Sequence, residues 1–172
     1  MSVERRDPVH VGAERAQLTE FLDYQRATVL VKVDGLDRDQ MNTTTAASEL
    51  TLAGLLKHLA VVEDGWFRRV LLGEPPAAWY RDFVDDLDWD FRTAVDDDPA
   101  DLVALYEDAC ERSRQAVASV ASLDDLTSEV PRRDGTQRFN LRWVLLHMIE
   151  ETARHAGHAD LLREAIDGAT GE

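Results

Sequence analysis

The sequence predicts an all-α protein, a four-helix bundle with a long crossover between its second and third helices. Three observations carry that expectation. Apolar residues recur at three- and four-residue spacing in four long stretches. Capping residues, Gly and Pro bound those stretches, and no segment reads convincingly as a strand, an internal repeat or a low-complexity tract. At 172 residues the chain is long enough to bury a substantial core, and it reads as one domain over 1–172 with a polar lead-in at 1–11.

The first helix is expected from Gly12 to about Asp34, where Leu18, Phe21, Leu22, Val29 and Val33 mark its inner stripe and the Gly35-Leu36 pair stops it. A connector over 37–50 follows, containing Asn42-Thr43-Thr44-Thr45. Ser48 or Thr51 can cap a second helix running to about Leu72, with Leu52, Leu55, Leu56, Leu59, Val62, Trp66 and Val70 facing inward. Gly73-Glu74-Pro75-Pro76 ends it.

Residues 75–98 differ in kind. Trp79, Tyr80, Phe83, Trp89 and Phe91 are interleaved with Asp82, Asp85, Asp86, Asp88 and Asp90, a pattern that fits neither a clean helix nor a strand. The segment reads as a surface loop pinned by its aromatics or as a lid over a pocket mouth. Asp98-Pro99, a cap followed by Pro in the first turn, opens the third helix, which runs to about Val120 through Leu102, Leu105, Tyr106, Ala109 and Val117. A turn or short hairpin is expected at Pro131–Gln137, around Asp134-Gly135. Asn140 caps the fourth helix, expected over 141 to about 166, and Gly168 ends it.

Composition narrows the function classes. A formal net charge of −15 argues against a nucleic-acid partner, whose phosphates require a basic surface. The one cysteine, Cys110, allows no internal disulfide and suits a reducing cytoplasm. No apolar stretch follows Arg5 and Arg6 as a secretory leader requires, and none reaches membrane-spanning length, so a cytoplasmic setting without a membrane partner is expected.

Chemistry concentrates in the fourth helix. At about 100° per residue, His147, Glu151, His155 and His158 fall within an arc of roughly 80°. Trp143, Leu146, Ile149, Leu161 and Leu162 around them suggest a largely covered helix. A buried row of imidazoles and a carboxylate needs a partner, and a metal ion is one. His147 and His158 lie roughly 16 Å apart along the axis and cannot share an ion, whereas Glu151 and His155, about 6 Å apart, can converge. His155 and His158 are an alternative pair.

A third ligand must come from elsewhere. His58, in the middle of the second helix, supplies it, because bundles build metal sites from side chains on facing helices. Three protein ligands leave a coordination position open, the mark of a catalytic zinc-type centre. The expected metal set is His58, Glu151 and His155; the alternatives are a hydrogen-bonded core role for His58 and a carboxylate–imidazole hydrogen bond between Glu151 and His155 with no metal. No catalytic residue is assigned beyond that centre. His158, His147, Arg154 and Trp66 are candidates for contacts around the ligands or to substrate, although a salt bridge within the bundle also suits Arg154. A di-iron site is disfavoured, since no histidine is preceded by Glu at the Glu-x-x-His spacing.

The His58 segment, Trp66, the stretch from Leu141 to Glu164 and the ending Ile166-Asp167-Gly168-Ala169-Thr170-Gly171-Glu172 resemble the DinB-like superfamily, and more narrowly its actinobacterial branch grouped with mycothiol-dependent enzymes. The resemblance implies a four-helix bundle, commonly dimeric, that holds a divalent metal with one residue of the second helix and two of the last. Matched by position, these are His58, Glu151 and His155. Many members carry three histidines; Glu151 departs from that pattern and is similar to the His/Glu/His set of mycothiol-dependent maleylpyruvate isomerase. Zinc is the first expectation, and nickel, iron or manganese also suit mixed nitrogen and oxygen ligands.

The activity implied is thiol S-transfer. Mycothiol, as thiol co-substrate, would be deprotonated at the metal and attack a small electrophile, a detoxification chemistry that needs no cysteine of the protein's own. Two other readings stand beside it. One is a metal-dependent hydrolase or isomerase acting through bound water; the other is a non-catalytic, stress-related bundle or binding module.

Overall fold

In the computed structural model the described residues are 4–46, 48–75, 77–78, 86, 88–130 and 137–170. The expected helices form, each with a local cause. Helix α1 spans Glu14–Val33, and Gly35 adopts φ 74° just beyond it. A four-residue helix, α2, spans Arg38–Met41 inside the expected connector. It is closed by a reciprocal capping box in which Asp37 accepts from the Gln40 amide at 2.9 Å and the Gln40 side chain accepts from the Asp37 amide at 3.0 Å. Four residues are too few for a helical period to register in the sequence.

Helix α3 spans Leu52–Glu63, and Thr51, the second of the two expected caps, accepts from the Gly54 amide at 3.0 Å. The expected helix does continue to Leu71, but over Asp64–Leu71 it is wound as a π-helix. The wider turn shows in Leu72 donating to the Phe67 carbonyl five residues back, at 3.3 Å. Helix α5 spans Pro99–Ser119, with Asp98 accepting from the Ala100 amide at 3.0 Å. Helix α6 spans Leu141–Asp167, with Asn140 accepting from the Trp143 amide at 2.9 Å and Gly168 at φ 75° ending it. Between the π-helical segment and α5 runs the long crossover, which carries a five-residue helix, α4, over Trp89–Thr93 and a 3-10 turn over Ala94–Asp96.

The expectation that 75–98 holds no helix is therefore corrected at 89–96. The run is short and aromatic, and packing on α3 rather than periodicity makes it helical. Trp79, Tyr80, Asp82, Phe83 and Asp85, and the turn expected around Asp134-Gly135, lie outside the described residues. Among the described residues there is no strand, only isolated bridges at Thr45–Ser48 and Leu126–Asn140. No described helix is long and apolar enough to cross a membrane.

In the bundle, α1 packs along α6, α3 along α5 and α6, and α5 against the π-helical segment. Two apolar clusters stack along its length. One joins Val29 and Val33 of α1 to Leu52, Leu56 and Leu59 of α3, Leu102 and Tyr106 of α5 and Ala156, Ala159 and Leu162 of α6. The other joins Leu22 to Phe67, Leu71, Val117, Leu141, Val144, Leu145 and Met148. Read along each helix, buried polar residues mark the boundary between the two: Arg26 on α1, Glu63 on α3, Ser113 on α5 and Thr152 on α6.

Arg26 and Glu63 meet at that waist in a bidentate pair, Nε to Oε1 at 2.7 Å and Nη2 to Oε2 at 2.6 Å. The covered face of α6 runs through Leu145, Met148, Thr152, Ala156 and Ala159. Trp143, Leu146 and Leu161, expected to be covered, flank that face and are 39%, 51% and 67% exposed. Phe21, expected in the α1 stripe, is likewise exposed, while Leu22 beside it is buried.

Gly54 has a packing role. A Cβ built there would stand 2.9 Å from Cδ1 and 3.6 Å from Cα of Phe91, so α4 approaches α3 only because position 54 has no side chain. Alanine in a helix gains about 1 kcal/mol over glycine. The overlap here costs about 1–3 kcal/mol. Gly54→Ala is therefore expected to lower the melting temperature rather than raise it, as differential scanning calorimetry would show.

Candidate metal centre

Three of the sequence-expected residues converge. His58 comes from the middle of α3; Glu151 and His155 come from α6, one turn apart on the same face. His58 Nε2 lies 3.6 Å from Glu151 Oε1, and His155 Nε2 lies 3.3 Å from the same oxygen. The two imidazole centroids are 5.1 Å apart, and one ligand atom from each residue can be chosen so that all three lie within 4.8 Å of one another. The side chains are 20%, 19% and 13% exposed, so the cluster is held by the bundle yet reachable from outside.

The donor set fits a divalent cation. Zinc–nitrogen and zinc–oxygen bonds of about 2.0–2.2 Å put neighbouring ligands of a tetrahedral centre roughly 3.4 Å apart. The observed 3.6 and 3.3 Å separations straddle that spacing. Two imidazoles and a carboxylate also make a mixed nitrogen and oxygen set with a net charge of −1 when both rings are neutral.

The three groups also interact with one another. Burial pulls the His58 pKa down, but hydrogen bonds to Asp90 and Glu151 outweigh it and carry the ring up to about 9. Glu151, bonded by His155 and then by His58, is held well below the usual carboxylate range despite partial burial. Proton and metal compete for this cluster.

Asp90 was not legible as part of the site. It belongs to the interleaved acids of the crossover, and α4 brings its Oδ2 to 2.7 Å from His58 Nδ1. It is fully buried. Phe91 stacks on a face of the same ring, with centroids 4.8 Å apart and planes at 26°. The only hint in the sequence is the density of acids beside aromatics; nothing there singles out position 90.

The remaining candidates separate. His158 approaches His155, Nδ1 to Nδ1 at 3.5 Å, on the far side of that ring from Glu151. His147, one turn before Glu151, joins an aromatic cluster instead: its ring is 4.6 Å from Trp66 and is stacked on Trp143 at 5.1 Å, and Trp143 is stacked on Phe139 at 3.9 Å. Burial lowers its pKa, which favours the neutral ring. Arg154 is exposed and bonded to Glu150 one turn earlier, an ion pair on the outer surface of α6 rather than within the bundle. Cys110 is buried, and burial pushes its thiol up to about 12.

Comparison with known proteins agrees with the architecture. A conserved protein from Enterococcus faecalis shares the fold, with a TM-score of 0.71 over 92% of this chain and 100% of that one, at 15% sequence identity. Among curated proteins there is no match. The family model for mycothiol-S-transferase matches residues 17–168, a span that takes in all but the first three residues of the long helices and includes His58, Glu151 and His155. The chain belongs to the mycothiol-S-transferase family of DinB-like bundles.

Proposed function

We propose that the protein is a divalent-metal-dependent thiol S-transferase, with His58, Glu151 and His155 as the metal ligands and mycothiol as the thiol donor. The observation that carries the reading is the meeting of these three ligand atoms, from two helices, within 4.8 Å. Membership of the mycothiol-S-transferase family supports the choice of thiol. A divalent ion bound there, zinc before nickel, iron or manganese, supplies the Lewis acidity that favours thiolate over thiol near neutral pH.

The chain's own residues then have defined tasks. His58 and His155 offer neutral nitrogen donors, and Glu151 offers an anionic oxygen that keeps the site's charge low. Phe91 shields one face of His58 from water. Trp66 and His147, in the ring cluster one helical turn from Glu151, offer a wall for substrate. In the reaction a sulfur–carbon bond forms at the electrophile, the bond to its leaving group breaks, and the thiol proton passes to solvent. Cys110 takes no part, because its thiol is buried and protonated.

The same reading takes the protein as one domain acting in the cytoplasm in detoxification, and as a homodimer. Exposed Trp143, Leu146 and Leu161 on α6 support the last point, which sedimentation would check.

Protein purified without a His tag is expected to carry one equivalent of metal. Mixed with mycothiol and a generic electrophile, it should form conjugate faster than a chelator-stripped control, and metal added back should restore the rate. Equal rates before and after stripping would remove the metal from the chemistry. Turnover of the electrophile without thiol would favour the hydrolase or isomerase reading.

A further inference from the structure

We propose that Asp90, delivered by the crossover, is a positioning residue that fixes the His58 ring so that Nε2 faces the metal centre. The proposal rests on the metal reading above and adds a residue to it. An imidazole can ligate through Nε2 only when Nδ1 carries the hydrogen, and a carboxylate on Nδ1 enforces that tautomer. Asp90 Oδ2 stands 2.7 Å from His58 Nδ1, while His58 Nε2 is the nitrogen that points at Glu151. The two ring nitrogens are thus divided between a fixed partner and the centre.

Asp90 is suited to this work by its surroundings. It is fully buried, and a buried carboxylate is costly unless its oxygens are bonded. Its Oδ1 accepts from the Phe91 amide at 2.9 Å, leaving Oδ2 to the imidazole. It therefore has little freedom to turn away from the ring.

The helix that carries Asp90 is anchored to the turn of α3 that carries His58. Lys57, the neighbouring residue, donates to Thr93 Oγ1 at 2.7 Å and pairs with Asp97 at 2.5 Å. Its ammonium also sits 4.3 Å from the centroid of the Trp89 ring. Phe91 packs on the His58 ring and occupies the space left by Gly54, one turn earlier. Residues 89–97 thus form a buttress behind the ligand. Of the two sequence-level readings of the crossover, this part matches a segment pinned by its aromatics.

The test compares zinc affinity, by competition with a chromogenic chelator, for untagged wild type, Asp90→Ala, Asp90→Asn and Lys57→Met, with helicity checked by circular dichroism. Asp90→Ala is expected to bind zinc about 10–100-fold more weakly. Asp90→Asn keeps an acceptor oxygen and should recover part of the loss. Lys57→Met loosens the same segment but keeps the Asp90 carboxylate, and should weaken binding distinctly less than Asp90→Ala does.

Wild-type affinity in folded Asp90→Ala would overturn the proposal while leaving the metal reading intact. A loss in Lys57→Met equal to that in Asp90→Ala would also overturn it, by showing that seating of the segment matters rather than the carboxylate. Failure of wild type to bind zinc would overturn both.

Discussion

Replacing Glu151 by alanine is expected to reduce bound metal from one equivalent per chain to a trace, and conjugation of mycothiol to the level of the stripped protein. His58→Ala and His155→Ala should do the same. Each change leaves two donors where three converged, and Glu151 is the shared member, 3.6 Å from one imidazole nitrogen and 3.3 Å from the other. Loss of a direct ligand should exceed the roughly 10–100-fold typical of an outer partner.

In Glu151→Ala and His155→Ala water can replace the missing partner, whereas His58→Ala also takes the imidazole from the buried Asp90 carboxylate and should lower stability as well. His147→Ala and His158→Ala provide the contrast. Their rings contact Trp66 and His155 respectively, so both variants should keep the full metal content. Metal analysis after gel filtration reads all five proteins. A full equivalent retained by Glu151→Ala would sink the assignment of the centre.

The largest stability effect is expected at the waist of the bundle. Arg26→Met strands the Glu63 carboxylate, which is fully buried and bonded to Arg26 through both oxygens. Breaking one side of such a pair costs about 3–5 kcal/mol. For a chain of this size each kcal/mol lowers the melting temperature by about 2–4 °C, so a fall of roughly 6–20 °C follows.

The double variant Arg26→Met with Glu63→Leu removes both charges and lets the two apolar clusters meet across the gap. It should recover most or all of the loss, because the desolvation cost of both ions disappears with their attraction. Thermal unfolding followed by circular dichroism distinguishes the two. A single variant within about 1 kcal/mol of wild type, or a double variant no better than the single, would show that the pair is not acting as a buried unit.

The bundle was legible because each long helix advertises itself locally. Thr51, Asp98 and Asn140 each accept from the backbone amide they were expected to cap, and Gly168 closes α6 with a left-handed backbone. The π-helical winding after Glu63 was not legible, since Trp66, Phe67 and Val70 fit an inward stripe under ordinary helical winding as well. The exposure of Trp143, Leu146 and Leu161 was missed for a related reason: hydrophobicity marks what can be buried, and the packing phase of α6 against α1 decides what is.

By itself, then, the sequence determined the helices, their ends and which three metal-capable side chains converge, because caps and helical spacing are properties of neighbours along the chain. Only the tertiary structure decided that Asp90 stands behind His58, that Arg26 and Glu63 join across the waist, and that His147 belongs with the aromatics. Those pairings span 32 and 37 residues in the first two cases, and no local rule specifies which distant side chains a packed interior brings within bonding distance.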